Sequence, residues 1–449
     1  MTTIHTNRGR DLSLKGKAER VMIDVALPKT VGVQPPDFRG LRPRVLVKAG
    51  DEVKIGTPLI YDKAVESVKI VSPACGRVAA VNRGHKRALI NIVIETDGRR
   101  DAEMFGPVSA DKISGLSREE VKKRLLDGGM WPALRQRPFS HIAHPNAKPK
   151  SIFVHAMNTE PLAPDIDFLI EGREREFQAG LDILTKLTDG PVHLCVADTT
   201  KLAILSEAKN VTIHYFCGSH PTGNVSTHIH YVDPVKKGDV VWYIEAWDVI
   251  RIARLFLEGK FPVEKIVAVT GETAAKRYYA RVNEGAPLAE LFKGTNLNGA
   301  RCISGSVLAG RNVGSDGFVG FYHNQVTAIP EGGKREFLGW LMPGFDKYTL
   351  SRTYLSALNP GAEYSLDTGE HGGHRAIVLN HIYDDLVSLE ILTYFLLKAI
   401  LAGDIEEAEK LGILECDEED FALCTFACPS KVDVGAIIRQ GLDTIEKEG

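Results

Sequence analysis

The rhythm of apolar and polar positions changes along the chain and divides it into four stretches. In the first hundred residues, runs such as "RPRVLVKAGDEVKIGTPLIYD", "VKIVSPACGRVAAVNRG" and "RALINIVIETDG" are broken by glycine or proline every 6–12 residues, with β-branched residues between. That punctuation predicts short strands and tight turns, an all-β module over 1–100. From 101 to 258 the pattern alternates. "KSIFVHAM" and "PVHLCVAD" are compact apolar runs suited to buried parallel strands, and "REFQAGLDILTKLT" between them has helical apolar spacing. Ser117 and Glu120 form a capping-box pair that sets a helix start. Strand, helix and strand over that length predict a small open α/β sheet. A third stretch, 259–331, reads "KIVAVTGETAAKRYYARVNEGAPLAELF" and then "GARCISGSVLAG", which predicts a β-grasp-like unit. From 332 to 449 the chain is mixed and then mostly helical, from "DDLVSLEILTYFLLKAILAG" onward. The fold class is thus multidomain α/β, α+β overall.

Within the β module, Val47, Gly50, Asp51, Val53, Gly56 and Leu59 are followed by Ser72, Pro73, Gly76 and Val78. This rhythm resembles the barrel-sandwich fold of biotinyl and lipoyl carrier domains. A carrier needs a lysine at the hairpin tip, where this chain has Val65, and Lys63 and Lys69 fall at the wrong offsets. The module is expected to be structural, with no attached cofactor.

Composition narrows the function classes. Lys+Arg 55 against Asp+Glu 58 gives a net charge of -3, so charge offers no reason to expect a nucleic-acid partner. The start, "MTTIHTNRGRDLSLKGKAE", has no apolar core and is not read as a secretory signal. The most apolar helical stretch carries Glu390 and Lys398 and falls short of the ~20 apolar residues that span a bilayer. Seven scattered cysteines predict free thiols in a reducing setting.

Three constellations carry chemical interest. Cys424, Cys428 and Pro429 match the closing half of an iron–sulfur run, with Cys416 upstream. In that register Phe421 and Glu418 occupy the other two ligand positions, and phenylalanine cannot bind iron, so no cluster is expected. Cys424 and Cys428 read instead as small buried residues flanking a helix that starts at Pro429. A second group, His214, Cys217, His220, His228 and His230, has residue types suited to zinc. With His228-x-His230 read as a strand and His214 and Cys217 on another, the spacing does not force a tetrahedral set. These remain weak candidates beside the plainer expectation of hydrogen-bonded histidines. Third, Gly128-Gly129 is followed by Met130, Trp131 and Pro132, whose bulk blocks a phosphate loop. No G-x-G-x-x-G follows a strand in the α/β stretch. The loop beyond, with Arg135, Arg137, Phe139, His141 and His144, sets donors beside an aromatic face and fits either an apolar ring ligand or a solvated basic loop.

Together, "RGRDLSLKG", "GLRPRVLVKAGDEV", "SPACGRVAAVNRGHKR", "ALRQRPFS", "HPTGNVSTHIHY", "ISGSVLAG", "LGWLMPG" and "DEEDFALCTFACPSK" resemble the A subunit of the Na+-translocating NADH:quinone oxidoreductase, a bacterial respiratory complex, from end to end. His141 departs from the pattern, where a lysine is expected. The resemblance extends to the C subunit of the Rnf complex and the flavin subunit of complex I, which hold cofactors where "GGMWPAL" and "EEDFALCTFACP" stand here. It implies a barrel-sandwich module, a Rossmann-like α/β core, a β-grasp unit of SLBB type and a helical C-terminal domain keeping a cluster remnant at Cys416, Cys424 and Cys428. It also implies no tightly bound cofactor, ubiquinone as ligand, and the other subunits of the complex, chiefly the membrane B subunit, as partners. The family's quinone-proximal segments match Gln34, Asp37, Phe38, Leu41, Arg135, Arg137, Phe139 and His141 here. A quinone head has two carbonyl acceptors and a flat apolar ring, so arginine or histidine beside phenylalanine is sensible chemistry. The expected role is that of a peripheral subunit of a translocase, on the cytoplasmic side of the inner membrane. It would act where ubisemiquinone becomes ubiquinol while Na+ is pumped elsewhere, with no catalytic residue and no activity of its own. The rivals are an assembly platform without quinone contact, a flavin-binding soluble NADH dehydrogenase, and a carrier domain protein.

Overall fold

The computed structural model describes residues 3–333 and 336–448. Its centre is a seven-stranded sheet in the order Thr3–His5, Thr212–Cys217, Val192–Ala197, Ser151–Ala156, Val241–Glu245, Arg135–Arg137, His141–Ile142. The first five strands run parallel, and the last two close the edge antiparallel. Every residue of Ser151–Ala156 is buried, because helices cover both faces. Ile152 and Val154 face the helices Glu174–Leu184 and Ala246–Glu258, while Phe153 packs on the other side with Val225 and Ile229 of the helix Val225–Val232. The capping box at Ser117 and Glu120 is formed at the helix Arg118–Asp127.

The β module closes from two antiparallel sheets. One takes Thr30–Val33, Leu89–Thr96, Gly76–Arg83 and Glu52–Val53, and the other takes Pro43–Val45, Pro58–Asp62 and Lys69–Val71. Val65 sits in the turn between Pro58–Asp62 and Lys69–Val71, at the hairpin tip. Two short strands inside the expected span of 1–100 pair outside the module's own sheets. Thr3–His5 pairs with the α/β sheet, and Met22–Asp24 extends the next sheet beside Tyr278–Asn283. The opening residues therefore lace three units together rather than build the first.

The third unit is a six-stranded sheet, ordered Arg311–Asn312, Ala300–Ser304, Gln325–Pro330, Glu264–Thr270, Tyr278–Asn283, Met22–Asp24. Its parallel central pair, Glu264–Thr270 and Gln325–Pro330, is flanked by antiparallel partners, the β-grasp arrangement. Beyond it the helices Ile382–Leu386, Thr393–Ala402, Ile405–Lys410, Ala422–Ala427 and Val434–Glu448 pack around one core of their own. Cys416, Cys424 and Cys428 are fully buried in that core beside Tyr383 and Ile438. Pro429 does not start a helix: it follows the end of Ala422–Ala427, and the next helix begins at Val434. Among the described residues no helix is long and apolar enough to cross a membrane.

Candidate functional site

In the α/β sheet the strands Ser151–Ala156, Val192–Ala197 and Thr212–Cys217 run outward in sequence order on one side, while Val241–Glu245 lies on the other side of the first. The direction of winding thus reverses between Ser151–Ala156 and Val241–Glu245. In open α/β sheets ligands collect outside the carboxyl ends of the strands at such a switch point. Here that place is a cavity of about 820 Å³. Ligand pockets commonly measure roughly 300–1,000 Å³.

The two switch-point strands supply its floor. His155 Nδ1 lies 2.9 Å from Glu245 Oε2, and its Nε2 contacts the Gly223 carbonyl. Burial alone would lower the histidine pKa, but the Glu245 carboxylate lifts it; burial would raise that of Glu245, but His155 and Arg135 beside it hold it below the usual carboxylate range. Arg135, on the neighbouring strand, reaches Glu245 at 3.1 Å. Its guanidinium lies between the rings of Tyr243 and Tyr322, 4.5 Å from each centroid, and its Nε has no partner. A flat cation held this way is pre-oriented. Tyr322 is fixed by donating its hydroxyl to the Pro132 carbonyl at 2.6 Å.

The other walls come from remote segments. The β-grasp unit contributes Gly305–Gly310 and His323, whose pKa burial lowers to about 3, so it is neutral. The C-terminal domain contributes Asp417, Glu418, Glu419 and Arg439. Asp417 is the hub of the closure: Arg39 and Arg137 each reach it at 2.9 Å, Arg439 lies at 3.7 Å, and the Ser140 hydroxyl donates to it. Burial would raise its pKa, yet the guanidiniums of Arg137, Arg39 and Arg439 hold it well below the ordinary carboxylate range. "ALRQRPFS", "HPTGNVSTHIHY", "ISGSVLAG" and "DEEDFALC", far apart in sequence, therefore meet at one cavity.

Of the residues expected near a quinone, Asp37 and Arg135 line this cavity. Asp37 is held by Arg311 at 2.7 Å and accepts the Phe321 amide. Gln34 and Phe38 stand behind the wall: Gln34 bonds the Phe318 carbonyl, and Phe38 packs on Phe321. Leu41 packs against the large core shared by the β module and the α/β sheet. Arg137 is 1% exposed and committed to Asp417 and Glu419. Phe139 packs toward the helical domain, and His141 Nδ1 lies 3.2 Å from Glu446. His144 folds back on its own turn, accepting the Asn146 amide.

The histidine–cysteine group disperses. His228 and His230 lie on a helix, not a strand, so their side chains diverge. His228 is buried on Phe216, while His230 turns outward to Glu415 at 2.6 Å. His214 pairs with His193 at 3.0 Å, His220 with Thr159, and Cys217 faces Asp198. Among the described residues no group of three His, Cys, Asp or Glu side chains is placed to hold a metal ion. Cys416, Cys424 and Cys428 have other neighbours: Cys428 Sγ meets the Tyr383 hydroxyl at 3.0 Å, Cys424 donates to the Tyr383 carbonyl, and Cys416 to the Gly412 carbonyl. The glycine pair serves packing. A side chain at Gly128 would meet Leu255, and one at Gly129 would meet Val71 and need a left-handed backbone.

Local sequence pattern does not single out His155, Glu160, Glu245, Ser306, Tyr322, Asp417 or Arg439. The strand ends "SIFVHA" and "VWYIE" carried the available signal, since an open α/β sheet binds at such ends.

Family comparison agrees with this architecture. Family models described as "NqrA N-terminal barrel-sandwich hybrid domain", "NqrA second alpha/beta domain" and "NQRA C-terminal domain" match residues 4–97, 116–261 and 266–315. The chain is 43% identical over 448 residues to the A subunit of the Na(+)-translocating NADH-quinone reductase of Hahella chejuensis, covering 99% of this chain and 100% of that one. The corresponding A subunits of Alcanivorax borkumensis and Yersinia pestis match at 41% and 40%, again over 99% of this chain and 100% of theirs. By its domains and by these full-length relatives, the chain belongs to the NqrA family, the A subunits of the Na+-translocating NADH-quinone reductase.

Proposed function

We propose that this chain is a peripheral, cofactor-free subunit that contributes to the ubiquinone-reducing side of the complex, and that the switch-point cavity receives the quinone head. The observation that carries this reading is the convergence of four remote motifs on that cavity, with Asp37 and Arg135 in its wall. A quinone needs donors for its carbonyls and a flat slot for its ring. Arg135 offers a guanidinium whose side chain is 19% exposed at the wall, and Val307, Leu308 and Phe426 add apolar lining. The membrane B subunit is the partner that would supply the lipid route for the tail and the path for Na+. The chain then sits on the cytoplasmic side, where ubisemiquinone becomes ubiquinol.

An assembly platform without quinone contact is the second reading. It is favoured by the exposed apolar side chains of Phe337, Trp340, Leu341, Met342 and Phe345, which offer a partner a docking patch. Arg135→Ala in the assembled complex separates the two. With quinone in the cavity, the quinone KM rises roughly tenfold, about 1.4 kcal/mol of lost binding, while kcat changes little. An unchanged KM in an intact complex leaves the platform. A flavin or cluster absorption band in the purified chain would end the cofactor-free part of the proposal.

A further inference from the structure

The cavity's carboxylates are not equivalent. Asp37 faces Arg311, Glu245 faces Arg135 and His155, Asp417 and Glu418 face Arg39, and Glu419 faces Arg137, while Asp433 is exposed and accepts the Ala436 amide at the start of the last helix. Glu160 lines the same cavity from the loop just past the strand Ser151–Ala156, and among the described residues no cation lies within ion-pair distance of it. It is held in place by the Ser306 hydroxyl, which in turn accepts the Leu308 and Ala309 amides, and by its own amide on the Asn158 side chain.

We propose that Glu160 is the proton-exchanging group of the cavity, delivering its proton to a carbonyl oxygen of the quinone as that ring is reduced. The proposal rests on the quinone reading above. Electrons reach the ring from NADH through the other subunits of the reductase. The reduced carbonyl oxygen gains negative charge, an O–H bond forms to it, and the Glu160 O–H bond breaks, leaving a carboxylate. Solvent reprotonates that carboxylate, and the second proton of the quinol comes from water. Ser306 acts as a positioning residue, because its hydroxyl fixes the direction of the acid.

The surroundings keep that proton available. Burial raises the Glu160 pKa to about 7, and Glu419 and Glu245 add to the shift while the Ser306 hydrogen bond opposes it. The other charged or titratable groups facing the same space are His155 and Arg135 at the strand ends, Arg39 from the β-module segment, Tyr322 and neutral His323 from the β-grasp unit, and Asp433 and Arg439 at the last helix. An acid with a pKa near the working pH is both protonated and able to let go.

The test is steady-state quinone reduction by the purified whole complex carrying Glu160→Gln, with Arg135→Ala alongside. If Glu160 is the donor, wild-type kcat falls as pH rises through about 7, because the carboxyl empties. Glu160→Gln then lowers kcat roughly tenfold or more at pH 6.5, keeps the quinone KM, and abolishes that pH limb. Glu160→Asp restores part of the rate together with a limb. A wild-type kcat and pH profile in Glu160→Gln, with a raised KM in Arg135→Ala, overturns the proton role and leaves quinone in the cavity. Wild-type behaviour of both variants overturns both readings.

Discussion

Asp417→Asn is expected to destabilise the chain by about 3–5 kcal/mol, the range for breaking a buried ion pair from one side. The side chain keeps its shape, so the loss is of charge. Arg137, 1% exposed on the side chain, loses the carboxylate that offsets its burial, and Arg39 and Arg439 lose a shared partner. Those three arginines come from the α/β sheet edge, the β-module segment and the last helix. The failure is therefore expected at the seam between the helical domain and the rest. Urea unfolding at neutral pH should show either a lower midpoint or a new early transition for residues 332–449. The pH dependence has a definite sign. The folded pKa of Asp417 lies below the reference value of 3.8, so its contribution is fully present above that value and is lost as pH falls through the depressed one. The variant should therefore lose less stability than wild type on acidification below pH 4. A midpoint unchanged at neutral pH would mean that Glu418 and Glu419 already satisfy the three guanidiniums.

The seam also shows what local pattern can and cannot reveal. "KSIFVHAM" and "PVHLCVAD" were readable as parallel strands because both faces are covered, which leaves an unbroken apolar run. "NVSTHIHYV" misleads for the opposite reason. Its β-branched residues alternate with polar ones, which reads as a strand, yet Val225 and Ile229 lie one helical turn apart and bury together against Phe216. Tertiary burial outweighed local propensity there. Thr3–His5 is invisible as a strand because it is three residues long and pairs with Tyr215, Phe216 and Cys217, far along the chain. The cavity is a harder case. Its wall runs from Asp37 to Arg439, so no window of sequence contains it. Only the resemblance to a family grouped Asp37 with Arg135. Nothing in that resemblance distinguished Arg135, which faces the cavity, from Arg137, which is buried in the ion cluster two residues on.

Trp131→Ala is the other large effect, about 3–5 kcal/mol for truncating a fully buried aromatic residue. Trp131 has no exposed surface, stacks edge-on against Trp242 with centroids 5.5 Å apart, and donates Nε1–H to the Ala143 carbonyl at 2.7 Å. The alanine variant leaves a void between the β module and the α/β sheet and a buried carbonyl without a donor, which adds to the cavity cost. Trp131→Phe keeps much of the ring and loses mainly the hydrogen bond, so about 1–2 kcal/mol is expected. The consequence reaches the cavity by a short route. Trp131 begins the turn Trp131–Ala133, whose Pro132 carbonyl holds the Tyr322 hydroxyl, and Tyr322 is one of the two rings around Arg135. With quinone in the cavity as proposed, a Trp131→Phe complex that stays folded should show a raised quinone KM, weaker than that of Arg135→Ala but in the same direction. If its KM is unchanged although stability has fallen, the turn only packs the core, and the orientation of Arg135 is set by Tyr243 and Glu245 alone.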